Sequence, residues 1–97
     1  MRCIYATLEQ KWSLIDALVD YACDEIHERR DDRITAIRLR NRYICTCDGK
    51  EANGMWQYLL RMDDAEYEFI KSMLPHYCAN ETHMNELLGK LNEAQSQ

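Results

Sequence analysis

Three thiols and an imidazole come near to a metal-binding arrangement. Cys45-x-Cys47 and His76-x-Cys78, with His83 close behind, hold the donor types of a tetrahedral zinc site. The spacing argues against it. Structural zinc knuckles put two residues between paired cysteines on a turn. Here Cys45 and Cys47 share one side of a period-two segment with Leu39 and Tyr43. Free cysteine is among the most buried residue types, so the expectation is core thiols, no bound metal and no cofactor. Five cysteines are an odd number, and the first fifteen residues carry Arg2, Glu9 and Lys11 with no apolar secretion signal. Reduced thiols and a cytoplasmic location are therefore expected.

Nucleophilic catalysis finds little support. Serine occurs only at Ser13, Ser72 and Ser96, none in a recognisable nucleophile motif, and no glycine-rich phosphate loop is present. Asp63, Asp64, Glu66 and Glu68 could hold a divalent cation, but acids at a helix start also complement its dipole without one. The reading is a protein that is not an enzyme.

Charge is more informative. Residues 1–28 net −4, residues 29–42 net +4, and the remainder −5. On the first predicted helix Asp16, Asp20, Asp24 and Glu28 recur every fourth residue, with Glu9 on the same side. Like charges at that spacing cost about 0.2–0.5 kcal/mol per pair, and no cation stands three or four residues from Asp16, Asp20 or Asp24. Such a ridge either takes its counter-charges from elsewhere in the fold or is presented to a basic partner. A basic nucleic-acid groove is one such partner, and a carboxylate row competes for it. The second reading of the charges uses Arg38, Arg40 and Arg42 on one strand face, with Tyr43 and with Trp56 on a neighbouring strand, as a nucleic-acid-binding surface.

The elements that must carry these residues follow from periodicity. Arg2–Ala6 reads as an edge strand. Thr7-x-x-Gln10 is a capping box opening a long helix that ends between Arg29 and Asp32. Its predicted buried stripe is Leu8, Trp12, Ile15, Val19, Ala22 and Ile26, at steps of four and three, widened by Leu14 and Leu18. From Arg33 the period changes to two, predicting a strand through Ile37, Leu39, Tyr43, Cys45 and Cys47. Asp48-Gly49 is a hairpin signal and Asn53-Gly54 a second. Met55–Met62 alternates with Trp56, Tyr58, Leu60 and Met62 on one face. A helix begins at Asp63 with Phe69, Ile70, Met73 and Leu74 buried, and Pro75 should stop it. Asn80 or Thr82 caps a last helix through Met84, Leu87, Leu88 and Leu91, and Asn92–Gln97 should fray. The fold class is α+β: a long N-terminal amphipathic helix packed on a small antiparallel sheet, with two short C-terminal helices.

The 97 residues suit one domain, 1–97. A net charge of −5 and pI near 5.1 speak against nucleic-acid binding by the whole surface, and the short apolar runs against a membrane span. In length, in the ridge Asp16, Asp20, Asp24, Glu28, in the Asp63–Glu68 cluster and in lacking a catalytic signature, the chain resembles the small acidic inhibitors of bacteriophages and mobile elements, such as anti-CRISPR proteins and other DNA mimics. The resemblance implies an inhibitor in the host bacterial cytoplasm, monomer or homodimer. It would bind a CRISPR surveillance complex, a multi-subunit type I complex being the better fit, and block its basic DNA groove. The Arg-rich segment departs from the most acidic mimics and implies an interface of both signs.

Overall fold

The computed structural model describes residues 1–24 and 30–94. The element order is β1 (Arg2–Ala6), α1 (Leu8–Cys23), α2 (Arg30–Ile44), β2 (Gly49–Ala52), β3 (Met55–Met62), α3 (Asp64–Tyr77) and α4 (Glu81–Glu93). The fold is α+β. Its sheet is antiparallel in the order β1-β3-β2, and the strand β1 precedes the first helix. Leu60 and Met62 of β3 with Ile4 and Ala6 of β1 form one wall of the core. Leu14, Leu18, Leu39, Tyr43, Ile70, Leu74, Leu87 and Leu91 fill it from the helices.

The helix-start signals of the sequence are realised. Thr7 Oγ1 accepts from the Gln10 amide at 3.2 Å, and Gln10 Oε1 accepts from the Thr7 amide at 3.0 Å. Asp63 and Glu66 close the same box on α3 at 2.7 and 2.8 Å, and Asn80 caps α4. The buried side of α1 differs from the expected one. Leu8 and Trp12 are 49% and 44% exposed and Val19 is half-buried, while Gln10, Lys11, Leu14, Ala17 and Leu18 are buried beside Ile15. At 100° per residue the buried arc is turned by about 100° from the predicted stripe, toward Leu14 and Leu18. Ile26 lies outside the described residues.

The largest correction concerns residues 33–47. They form no strand: Arg30–Ile44 is helical. Ala36, Leu39 and Tyr43 are its buried residues, at steps of three and four, and Ile37 is 41% exposed. Acids Asp31 and Asp32 open it and Arg42 closes it, matching the helix dipole. The hairpin turn is Asn53-Gly54, not Asp48-Gly49. Both of its residues have positive φ, 55° and 78°, as a two-residue type I′ loop requires, and Ala52 pairs with Met55 across it. Gly49 serves another purpose: a Cβ there would lie 2.0 Å from the Gln57 carbonyl oxygen. Pro75 does not end α3, which runs to Tyr77; in the last turn its missing N–H forfeits a single bond.

Candidate partner-binding surface

The acids of the sequence divide into two groups with different work. Glu66 is buried, its side chain 2% exposed. Its Oε1 accepts from the Asp63 amide at 2.8 Å and from Arg42 Nη1 at 2.9 Å. Its Oε2 accepts from Arg42 Nη2 at 2.9 Å and from Arg38 Nε at 3.3 Å. Burial pushes this carboxyl up, but those bonds and the Arg42 charge outweigh it and hold it below the usual carboxylate range. Asp63 is the N-cap, and Asp64 pairs with Arg2 at 3.0 Å. Of this cluster only Glu68 is exposed without such a partner among the described residues. As a docking cluster the four do not stand together: Asp63 is spent on capping α3, and Asp64 and Glu66 on holding it to β1 and α2.

The ridge on α1 behaves differently. Glu9, Asp16 and Asp20 are exposed and enter no ion pair among the described residues. Asp24, half-buried at the helix C-cap, accepts from Tyr77 Oη at 2.7 Å, a bond that pushes the Tyr77 phenol up to about 12. Glu28 lies outside the described residues. Ser13, on the same exposed side, shares a 2.7 Å hydrogen bond with His83 Nδ1, tying α1 to α4, whose Glu81 and Glu86 are exposed. Sequence spacing gave no sign of this pair. No carboxylate bonds the other ring nitrogen among the described residues, so the pair lacks the orienting group of a nucleophilic triad.

Cations near this face are turned inward. Lys11 is buried, with Nζ 4.2 Å from the Tyr58 ring centroid and 5.4 Å from that of Trp12. Lys90 Nζ donates to the Tyr5 carbonyl at 2.6 Å and to Gln10 Oε1 at 2.8 Å. Beside them, Leu8, Glu9, Met55, Trp56, Tyr58 and Glu86 border an open cleft of about 420 Å³, with Met55 55% and Trp56 47% exposed.

The arginine residues do not converge. Arg38 and Arg42 reach Glu66 from α2, while Arg40 donates to Asn41 Oδ1 at 3.1 and 2.8 Å on another side of that helix. Tyr43 is fully buried and its hydroxyl donates to the Arg61 carbonyl at 3.0 Å. Trp56 is on a strand, where it was expected, but no strand carries Arg38, Arg40 and Arg42 beside it. The cysteines are also placed differently: Cys3, Cys23, Cys45 and Cys47 are exposed and Cys78 half-buried. Cys45 and Cys47 lie past the end of α2, where the chain leaves the core for β2, which is why they are not core residues. His76 is exposed on the last turn of α3, and among the described residues no three His, Cys, Asp or Glu gather as metal ligands. No described helix is long and apolar enough to cross a membrane.

No family model matches this chain, and no curated protein or solved structure matches it either.

Proposed function

We propose that the protein is a non-enzymatic inhibitor of the phage or mobile-element kind, which binds a basic nucleic-acid groove of a host complex through its α1–α4 acidic face. The observation that carries this is the contrast between Glu9, Asp16 and Asp20, exposed with no cation facing them among the described residues, and the inward-turned Lys11 and Lys90. A face that leaves its acids unpaired while its neighbouring lysines are engaged within the fold has a negative local field. Such a field speeds association with a basic groove and competes with phosphates for it. Glu81 extends the face, while Glu86 accepts from Gln10 Nε2 at 2.8 Å, and Trp56 and Met55 at the cleft offer apolar anchors of the kind that dominate interface energies. Asp24, Asp63, Asp64 and Glu66 leave the proposed contact set, because their oxygens are engaged within the fold.

The resemblance makes a type I CRISPR surveillance complex the first partner to try. Labelled target DNA bound to the purified complex should be displaced as this protein is added, and added salt should weaken the displacement. Single Asp→Asn changes should be mild, because exposed pairs contribute roughly 0–1 kcal/mol each. Glu9→Lys, Asp16→Lys and Asp20→Lys together should abolish displacement, since reversal adds repulsion. Displacement that survives both the triple reversal and high salt would sink the mimic mechanism.

A further inference from the structure

Five of the large apolar side chains left exposed, Leu8, Trp12, Ile34, Ile37 and Ile44, belong to α1 and α2. On α1 the stripe Leu8, Trp12, Ile15, Val19, Ala22 keeps the four-three spacing of a coiled-coil seam, yet the monomer buries the helix on another side. On α2, Ile34, Ile37, Asn41 and Ile44 have the same a/d spacing, and Asn41 is exposed with them. Among the described residues, α1 (16 residues) leaves Leu8 and Trp12 of this stripe exposed and Val19 and Ala22 half-buried, with Ile15 in the core, and α2 (15 residues) leaves Ile34, Ile37 and Ile44 exposed.

The two seams share one outer face. The short connection makes α1 and α2 antiparallel neighbours, and Arg33 of α2 donates to the Ala22 carbonyl of α1 at 3.0 and 3.1 Å. On α2 the flank bearing Arg38 and Arg42 meets Glu66 of α3. Ile37 and Ile44 lie on the other flank, within about 40° of Arg33. On α1, Tyr21 and Asp24 meet Tyr77 of α3, and Val19 and Trp12 lie roughly opposite them. Both stripes therefore border the α1–α2 groove on its solvent side. The Arg33–Ala22 contact also sets the levels: with equal rise in both helices, Val19 is level with Ile37 and Trp12 with Ile44.

We propose that this face is the interface of a homodimer, in which a two-fold axis running along the helices lays α1 of one copy on α2 of the other as a four-helix layer. Charge chooses that axis. The outer flank of α1 carries Asp16, Asp20 and Glu9, and that of α2 carries Arg38 and Arg42, which share Glu66, with Asp31 at the start of the helix. An axis along the helices brings the acidic flank to the partner's arginine flank. An axis across them stacks α1 on α1, acid against acid. The first arrangement also preserves levels, so Val19 faces the other copy's Ile37 and Trp12 its Ile44. The strip is about 23 Å long and roughly 20 Å wide, about 500 Å² in projection. Its accessible area is larger, approaching the ~800 Å² per partner of a standard interface. The dimer shares ground with the inhibitor reading: Glu9, Asp16 and Asp20 face the partner's arginine flank at the rim, and Leu8 belongs both to the seam and to the border of the Trp56 cleft, while Glu81 on α4 lies off the seam.

Sedimentation equilibrium of the full chain should show a species of twice 11.6 kDa at micromolar concentration. Val19→Lys and Ile37→Glu, both tolerable at partly exposed positions, should each weaken dimerisation about tenfold or more with unchanged circular dichroism, since each buries an unpaired charge in the seam. Mixing the two variants should restore a dimer, because only α1 on α2 sets the lysine against the glutamate. A wild type that stays monomeric to several hundred micromolar overturns the proposal. So does a dimer indifferent to both changes, or a mixture that stays monomeric. A monomeric variant that still displaces DNA would leave the inhibitor reading standing, and a dimer that displaces none would remove that reading alone.

Discussion

Glu66 shows how much one carboxylate can organise. Four donors from a helix cap and two arginines converge on it, joining the last half of α2 to the first turn of α3. Removing it leaves the half-buried Arg42 with the Arg61 carbonyl at 3.1 Å but no counter-charge, and breaking a buried pair costs about 3–5 kcal/mol. Arg38 and Arg42 remain 52% and 35% exposed, so solvent relieves part of that loss, and about 2 kcal/mol is expected for Glu66→Gln in urea denaturation at pH 7. Its folded pKa is held below that of the unfolded chain. The stabilisation is therefore complete above about pH 4.3 and is lost as pH falls through the lower folded value. Stability of the wild type should drop over that acid window, and the drop should be smaller in Glu66→Gln; equal acid sensitivity in both would refute the assignment. The acid was visible in the sequence as a helix-start residue, but its burial was not. Only Arg38 and Arg42 arriving from a helix, one turn apart, bring both guanidinium groups to it.

At the scale of elements, the caps and the buried faces of α3 and α4 were legible, and the face of α1 was not. Thr7-x-x-Gln10 and Asn80 act within four residues, and their chemistry is local. The side on which α1 is buried depends on where α2, α3 and α4 stand, and two apolar stripes on that helix compete for the role. Of the stripe with the better heptad spacing, Leu8 and Trp12 stayed outside, Val19 and Ala22 are half-buried and Ile15 is buried. Residues 33–47 misled because Arg38, Arg40 and Arg42 alternate by chance with Ile37 and Leu39. Ala36, Leu39 and Tyr43 carried the helical spacing that decided the matter, once Ala36 is counted as a core residue. The glycines give a sharp contrast. Gly49→Ala would drive a methyl against the Gln57 carbonyl carbon and oxygen of β3 and should cost about 3 kcal/mol by forcing β2 off the sheet edge. Gly89→Ala, in the exposed middle of α4 with open space around it, should stabilise by about 0.5–1 kcal/mol. Thermal melts of the two variants check both signs, and a neutral Gly49→Ala would show that β2 is not held as described.

Across the whole molecule, the segregation of charge along the chain was legible from sequence, but its use was not. The arginine segment read as a surface for nucleic acid, and the acidic segments read as one face. In the fold the basic segment becomes the helix that neutralises Glu66 and covers α1, so much of its charge is engaged. Arg38 and Arg42 share a carboxylate, Arg33 is bound to a carbonyl, and Arg61 lies 3.5 Å from Asp48. Arg40 is bonded to a neighbouring amide and points away from Arg38 and Arg42. A phosphate backbone is gripped by several cations in register, each releasing a counterion; among the described side chains of the basic segment Arg40 stands alone, and one such arginine on a protein of net charge −5 falls short of that. The isolated protein should therefore leave random single- and double-stranded DNA and RNA unshifted in an electrophoretic assay, even at low salt, where electrostatic binding is strongest. A salt-sensitive shift that Arg40→Glu abolishes would reverse this conclusion and return the basic helix to the role of the functional surface. Without a shift, any loss of DNA binding that the protein causes in a host complex must come from contact with that complex, which is where the exposed acids of α1 would act.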